Sequence, residues 1–387
     1  MSEEKTEHLE TQVIHSGEWR PRPEGAVVLP VYQSSTYESN GAKDYDSVRY
    51  LRLSNTPNHL VLAAKLAAIE GTEAALVMAS GMAAITTSLL ALVKEGEHLI
   101  AQDNLYGGTY HFLKENFSAL GRRVSFFPLS EPGSWEKALR PETKAIYVES
   151  VSNPLLRIPD LQAIASFAQA KGLKSFIDNT FPSPVNFNPR SLGFSHILHS
   201  ATKYLNGHSD IVAGCVMASS EEIKSVTQWL NLMGGSLDPH SCFLLHRGLK
   251  TLPLRVRWQN ESAMRLAHAL EDSKLVRRVI YPGLPSHPDH LRAKQWFRGY
   301  GGMMSFEFPG TAEAADGFLR ELRLGMNAPS LGGVETLVTR PSQTSHAGVS
   351  AEDRRNQGIS DTLIRVSVGL EHPDDLVEDF LKVLRQG

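Results

Sequence analysis

A lysine sits where a buried strand should end. Ser200-Ala201-Thr202-Lys203-Tyr204 follows the apolar run His196-Ile197-Leu198 and precedes Asn206-Gly207-His208-Ser209-Asp210. A desolvated ammonium loses its proton readily, and the free amine is a nucleophile. Lys203 is therefore the candidate Schiff-base residue; for an isolated S-x-T-K the ordinary alternative is a lysine snorkelling to solvent. A second signal is Ala79-Ser80-Gly81-Met82-Ala83-Ala84, directly after the strand-like Ala75-Leu76-Val77-Met78. There Gly81 permits a tight turn into a helix, whose first N–H groups face an anion such as a phosphate. It is neither a Walker loop nor a dinucleotide fingerprint, and close helix packing explains such a turn as well. Asp178 follows the apolar Ser175-Phe176-Ile177. A carboxylate at that depth needs a partner, and a protonated heteroaromatic nitrogen suits it, although a lone Asp is often an N-cap or turn residue. Finally, Asp361-Thr362-Leu363-Ile364-Arg365-Val366-Ser367-Val368-Gly369 reads as a strand with Ile364, Val366 and Val368 on one face and Arg365 and Ser367 on the other. Arg365 has no neighbouring carboxylate. It reads as the fork for an amino acid's α-carboxylate, or else as one half of an ion pair with a distant acid.

One cofactor joins these readings. An aldehyde that condenses with Lys203, seats a phosphate at the Gly81 helix start and presents a ring nitrogen to Asp178 is pyridoxal phosphate. Ser200 and Thr202, at alternate strand positions, would then lie on one side and add hydroxyl donors to the phosphate.

The elements that must position these residues are equally legible. Apolar runs at 74–79, 98–103, 122–127, 144–150, 174–179, 195–200 and 211–218 read as seven strands buried on both sides. Helical segments such as 161–168 separate several of them. The fold class is thus α/β, a mainly parallel seven-stranded sheet with helices on both faces. Ligands of such sheets lie beyond the carboxyl ends of the strands, where the candidate residues fall. Residues 1–57, rich in turn signals such as Pro21-Arg22-Pro23 and Ser39-Asn40-Gly41, read as an N-terminal arm, 58–240 as the cofactor-binding domain and 241–387 as a smaller α+β domain. The last comprises a helical stretch at 242–273, strands at 302–308, 334–338 and 362–368, and a final helix opened by His372-Pro373-Asp374-Asp375, with Leu376, Phe380 and Leu384 on its inner face.

Composition narrows the function classes. With 387 residues, 41% hydrophobic content and net charge −3, the chain can bury a large core and offers no basic footprint for nucleic acid. Only Cys215 and Cys242 are present, which excludes a disulfide framework. Neither a signal-peptide pattern nor a membrane-length apolar run is found, so the expected location is cytoplasmic. His196, His199 and His208 match no metal-site spacing, and no metal is expected.

The Ser200–Asp210 stretch, with Asp178-Asn179-Thr180-Phe181, Ala79-Ser80-Gly81-Met82 and Arg365-Val366-Ser367-Val368-Gly369, resembles the Cys/Met-metabolism (trans-sulfuration) family of pyridoxal-phosphate enzymes, from about Thr11 to Leu384. The resemblance implies the fold-type I architecture of aspartate aminotransferase and a homotetramer built from two catalytic dimers. It places Tyr106 on the cofactor ring and in proton transfer, and Tyr50 and Arg52 at the phosphate of the neighbouring subunit. Glu149 and Asn153 come near the ring and its phenolic oxygen, and Ser330 helps hold the substrate carboxylate. The expected activity is carbon–sulfur cleavage of an amino-acid substrate. The first expectation is γ-elimination from cystathionine, the next γ-replacement on an activated homoserine, then β-elimination from cystathionine or γ-elimination from methionine. A regulatory role would be an addition. An aminotransferase would need a second arginine for a distal carboxylate, and none is assignable. Departures from the family pattern are Pro329 in place of a glutamate, His111 in place of an arginine, Gly108 in place of the cysteine of methionine γ-lyases, and the inverted order Asn55-Thr56-Pro57.

Overall fold

A computed structural model describes residues 7–39, 41 and 45–386; Asn40, the centre of the expected turn at 39–41, lies outside them. Seven strands form one sheet: β1 (Ala74–Met78), β2 (His98–Gln102), β3 (Arg123–Phe127), β4 (Thr143–Glu149), β5 (Lys174–Asp178), β6 (His196–His199) and β7 (Gly214–Ala218). Their order is β1-β7-β6-β5-β4-β2-β3. Only β7 runs against its neighbours, pairing antiparallel with β1 and β6; all other pairs are parallel.

Period-two patterning explains the burial. Ile100, Ile146, Ile177 and Ile197 point into one apolar layer, while Leu99, Tyr147, Phe176 and Leu198 point into the opposite one. After a first short helix, α1 (Leu9–His15), helix α2 (Pro57–Glu70) and the helix Leu161–Ala170 cover the first face, and α3 (Gly81–Leu92) and the helix Ser220–Met233 cover the second. The inverted Thr56-Pro57 order has a local consequence: proline occupies the first helical position of α2, where its missing N–H is no loss.

A second sheet has the order β10-β11-β12-β9-β8. Its strands are β8 (Arg278–Ile280), β9 (Met303–Glu307), β10 (Met326–Asn327), β11 (Leu337–Thr339) and β12 (Leu363–Ser367). Ile364, Val366 and Val368 pack with Leu376, Phe380 and Leu384 of the last helix, Pro373–Gln386. At about 25 cal/mol per Å² of apolar surface removed from water, a stripe of this kind holds that helix to the sheet.

Three expectations are corrected. The stretch 242–273 is two helices, Pro239–Leu249 and Leu252–Ser273, each opened by a proline in its first turn. Strands β8 and β10 were not foreseen, being too short to show a period. And β6 stops at His199, so Ser200 to Lys203 lie in a turn and not on an extended strand. Among the described residues no helix is long and apolar enough to cross a membrane.

Candidate active site

The carboxyl ends of β1, β4, β5 and β6 open onto a cavity of about 650 Å³. At the end of β1, Ser80 caps α3 by accepting the Ala83 N–H at 3.0 Å. That leaves the amides of Gly81 and Met82 with no intrahelical acceptor. A Cβ at Gly81 would lie 2.8 Å from Ser200 Cβ and 3.0 Å from Ser200 Cα, so only glycine lets the helix start rest on the backbone that leads to the lysine. The two readings of this turn are therefore compatible: the packing is close, and the free amides border the cavity.

Asp178 ends β5. Its Oδ1 accepts from the Thr180 N–H at 3.0 Å and from the Thr180 hydroxyl at 2.5 Å; Oδ2 takes no hydrogen bond from the described residues. Burial pushes this carboxyl above its ordinary value, while the two Thr180 bonds pull it back. The same Thr180 hydroxyl accepts from the Ser200 N–H at 2.9 Å, which ties the acid to the turn carrying the lysine. Sequence reasoning passed over Thr180, although an Asp-x-Thr turn is a recognisable local motif. Thr202 is redirected by the turn geometry. Its hydroxyl donates to Ala213 O at 3.1 Å and accepts from Ala213 N at 3.0 Å, so it fastens the turn to the approach of β7. Ser200 keeps its hydroxyl unengaged among the described residues.

Lys203 Nζ lies within the cavity and donates to Ser330 Oγ at 2.6 Å. Burial first, then the Arg365 guanidinium, push its pKa down to about 8. Arg365 is buried on β12, with one donor on Asn153 Oδ1 at 3.2 Å and another on the Ser330 carbonyl at 3.0 Å. Its Nε–H is buried without a partner, and no carboxylate pairs with it among the described residues. The ion-pair alternative for this residue thus finds no acid. Ser330 sits at φ +91°, a strained backbone that aims its hydroxyl at the lysine and its carbonyl at the arginine.

On the far wall, Glu149 at the end of β4 accepts the Tyr106 N–H at 2.6 Å. Burial, then the neighbouring Asp178, raise its pKa well above the ordinary carboxylate value. Tyr106 precedes α4 (Gly107–His111) and leans on Gly108, where a Cβ would come within 2.7 Å of its ring. This requirement explains glycine at 108 without reference to substrate.

The family model for Cys/Met metabolism PLP-dependent enzymes matches residues 10–385. The chain belongs to that family. It is 42% identical over 375 residues to a cystathionine gamma-lyase of Bacillus subtilis, covering 97% of this chain and 98% of that one. It is 40% identical over 379 residues to a cystathionine beta-lyase of Lactococcus lactis, covering 98% and 99%. Among solved structures, cystathionine gamma synthase from Xanthomonas oryzae pv. oryzae, in complex with aminoacrylate and cysteine, superposes with TM-score 0.93 at 36% identity, covering 98% of each chain.

As a member of this family the protein is a pyridoxal-phosphate enzyme acting on amino-acid substrates, and the cavity suits that cofactor. A buried acid with one open oxygen can take a ring N–H. Two free helix amides and the Ser200 hydroxyl suit a phosphate, and a desolvated amine suits an aldehyde. Tyr50 and Arg52 do not line this cavity. The Arg52 guanidinium reaches Asn231 O at 2.6 Å and the Tyr45 hydroxyl at 2.7 Å. Pro329 lines the cavity, whereas His111 is exposed. The three histidines considered for metal are engaged separately, His196 with Glu222, His199 with Glu70 and His208 with Asn206 O. Thr344 and Ser345 also line the cavity, in a loop without periodicity that sequence reasoning had no means to place there.

Proposed function

We propose that this chain is a carbon–sulfur lyase that cleaves L-cystathionine by γ-elimination, giving, with one water, cysteine, 2-oxobutanoate and ammonia. The observation that carries the reading of an amino-acid substrate is Arg365, a buried guanidinium with, among the described residues, a free Nε–H and no acid partner, close enough to Lys203 to depress its pKa. The choice of the γ-lyase rests on the Bacillus relative.

Each residue then has a role. The Gly81 and Met82 amides, with Ser80, Ser200 and Thr202 framing them, would hold the cofactor phosphate, and Asp178, oriented by Thr180, would keep the ring nitrogen protonated. Pyridoxal phosphate, when bound, supplies an electron sink for negative charge at the substrate's α-carbon. Arg365 and Ser330 grip the α-carboxylate and fix which α-substituent faces Lys203. Lys203 Nζ takes the α-proton and returns it elsewhere on the substrate, a task suited to an amine whose pKa lies near 8. The Tyr106 hydroxyl delivers a proton to the departing sulfur. Glu149 positions Tyr106 through its backbone N–H and, with Asn153, closes the wall beside the ring.

A second reading is γ-replacement on an O-acylhomoserine, supported by the similarity to a cystathionine gamma synthase structure; Pro329, which offers no acid for the distal amine of cystathionine, does not separate the two. Product analysis separates the two. Cystathionine, methionine and a homoserine ester are supplied with and without cysteine; 2-oxobutanoate from cystathionine alone supports the lyase. Pyruvate would indicate β-cleavage, and cystathionine made only from ester plus cysteine would indicate the synthase.

Tyr50 and Arg52 are assigned to the phosphate of an adjacent subunit in a homotetramer. In support, Leu232 and Met233 stand exposed beside the Asn231 carbonyl that holds Arg52, an apolar surface suited to assembly. Tyr50→Phe and Lys203→Ala proteins, each with strongly reduced activity, should recover part of it when mixed into hybrids. Hybrid formation without recovery would remove the shared-site assignment.

A further inference from the structure

Arg365 and the loop it touches belong to different sheets, and a serine on β9 closes the gap between them. Antiparallel pairing sets Ser305 directly opposite Arg365, on the strand next to β12. Ser305 is fully buried, and its hydroxyl donates to the Pro154 carbonyl at 2.8 Å. Pro154 follows Asn153, whose Oδ1 accepts from Arg365 at 3.2 Å. Arg365, Asn153, Pro154 and Ser305 therefore form a closed ring, two members from the loop after β4 and two from facing positions of the second sheet.

The loop is also tied at its far end. Arg157 Nε donates to Asp289 at 2.6 Å, and the Ile158 N–H donates to the same carboxylate at 3.1 Å. Within the loop, the Ser152 N–H donates to Arg157 O, and Ser152 Oγ accepts the Arg157 N–H. That second tie fixes residues 157 and 158. Near Asn153 itself, the second sheet holds the loop through Arg365 on the Asn153 side chain and through the Ser305 hydroxyl on the Pro154 carbonyl. A guanidinium on a long side chain has rotamers to lose, and a fork prearranged for a carboxylate binds more tightly than one that must be ordered on binding.

We infer that Ser305 is a positioning residue for substrate recognition: by holding Pro154 it fixes Asn153, and through Asn153 it fixes the plane in which Arg365 presents its donors to the α-carboxylate. This rests on the reading of Arg365 as the carboxylate fork. It assigns Ser305 no contact with substrate or cofactor.

The test uses cofactor-loaded enzyme and two amines, glycine and methylamine, which differ by the carboxylate. Their dissociation constants are read from the change in visible absorption, and the melting temperature of each variant is recorded alongside. In Ser305→Ala the constant for glycine should rise about five- to tenfold, as expected for one lost buried hydrogen bond, with methylamine unchanged. On an Asn153→Ala background the same substitution should change glycine binding by less than about twofold, because its effect passes through Asn153. Unchanged glycine binding in Ser305→Ala, while Arg365→Ala weakens it, overturns the role of Ser305 and leaves the fork intact. If Arg365→Ala itself leaves glycine binding unchanged, the fork reading fails first. Equal weakening of glycine and methylamine, or full additivity with Asn153→Ala, reduces Ser305 to a general stabiliser and overturns the inference. Should Ser305→Ala fail to fold, Ser305→Cys, of similar size and with a weaker donor, is read by the same criteria.

Discussion

Lys203→Ala protein is expected to bind coenzyme that borohydride does not fix covalently to the chain, whereas the parent is permanently labelled, and to lose lyase activity by about 10³-fold or more. Among the described residues no other lysine lines the cavity, so no second amine there can take over either the covalent attachment or the α-proton. The fold should tolerate the change. Lys203 makes no ion pair among the described residues; its amine donates to Ser330 Oγ, and its partly buried charge is opposed by the nearby Arg365. Truncation removes that desolvated charge, and the melting temperature without cofactor should stay within a few degrees of the parent. Asp178 and the Gly81 helix start remain, so the variant should still take up the coenzyme without joining it. A spectrum identical to the parent's, with the same response to borohydride, would place the attachment elsewhere and undo the mechanism.

The legibility of this site follows the range of the interactions that build it. The seven strands of the large sheet could be read because burial on both faces leaves continuous apolar runs, and the positions after β1, β5 and β6 follow from the rule that ligands sit at strand carboxyl ends. Arg365 was readable as an arginine among apolar neighbours that wants a carboxylate, but whether a distant acid pairs with it was not; among the described residues none does. What failed to show was non-local. Asn153 and Arg365 are 212 residues apart, and Ser305 meets Pro154 across 151, so neither contact leaves a trace in local periodicity. Thr202 does line the cavity, but for a different reason from the one assumed. Alternation was assumed to continue past His199, whereas the chain turns there and sends the hydroxyl to Ala213. Short edge strands such as β10, two residues long, carry no period at all.

Arg365→Ala should raise KM for amino-acid substrates by about 10²-fold or more while leaving cofactor affinity within about twofold, a split that separates substrate recognition from coenzyme binding. The reasoning begins with burial. Desolvation pushes this guanidinium's pKa down to about 10, which still leaves it cationic at neutral pH, and its two acceptors, Asn153 Oδ1 and the Ser330 carbonyl, are both neutral. A buried cation held only by neutral acceptors is poorly compensated, so an incoming carboxylate gains both the charge and the open Nε–H. Charge-assisted hydrogen bonds contribute about 1.5–3 kcal/mol each, and losing a two-bond grip therefore costs about 3 kcal/mol or more, which is the hundredfold expected. Arg365→Lys should recover only part of the loss, because an ammonium restores the charge without the planar fork. Initial-rate kinetics with cystathionine and coenzyme titration of the apoprotein check both halves. A KM unchanged from the parent, or a cofactor affinity that falls by the same factor, would move Arg365 out of the substrate site and into the scaffold.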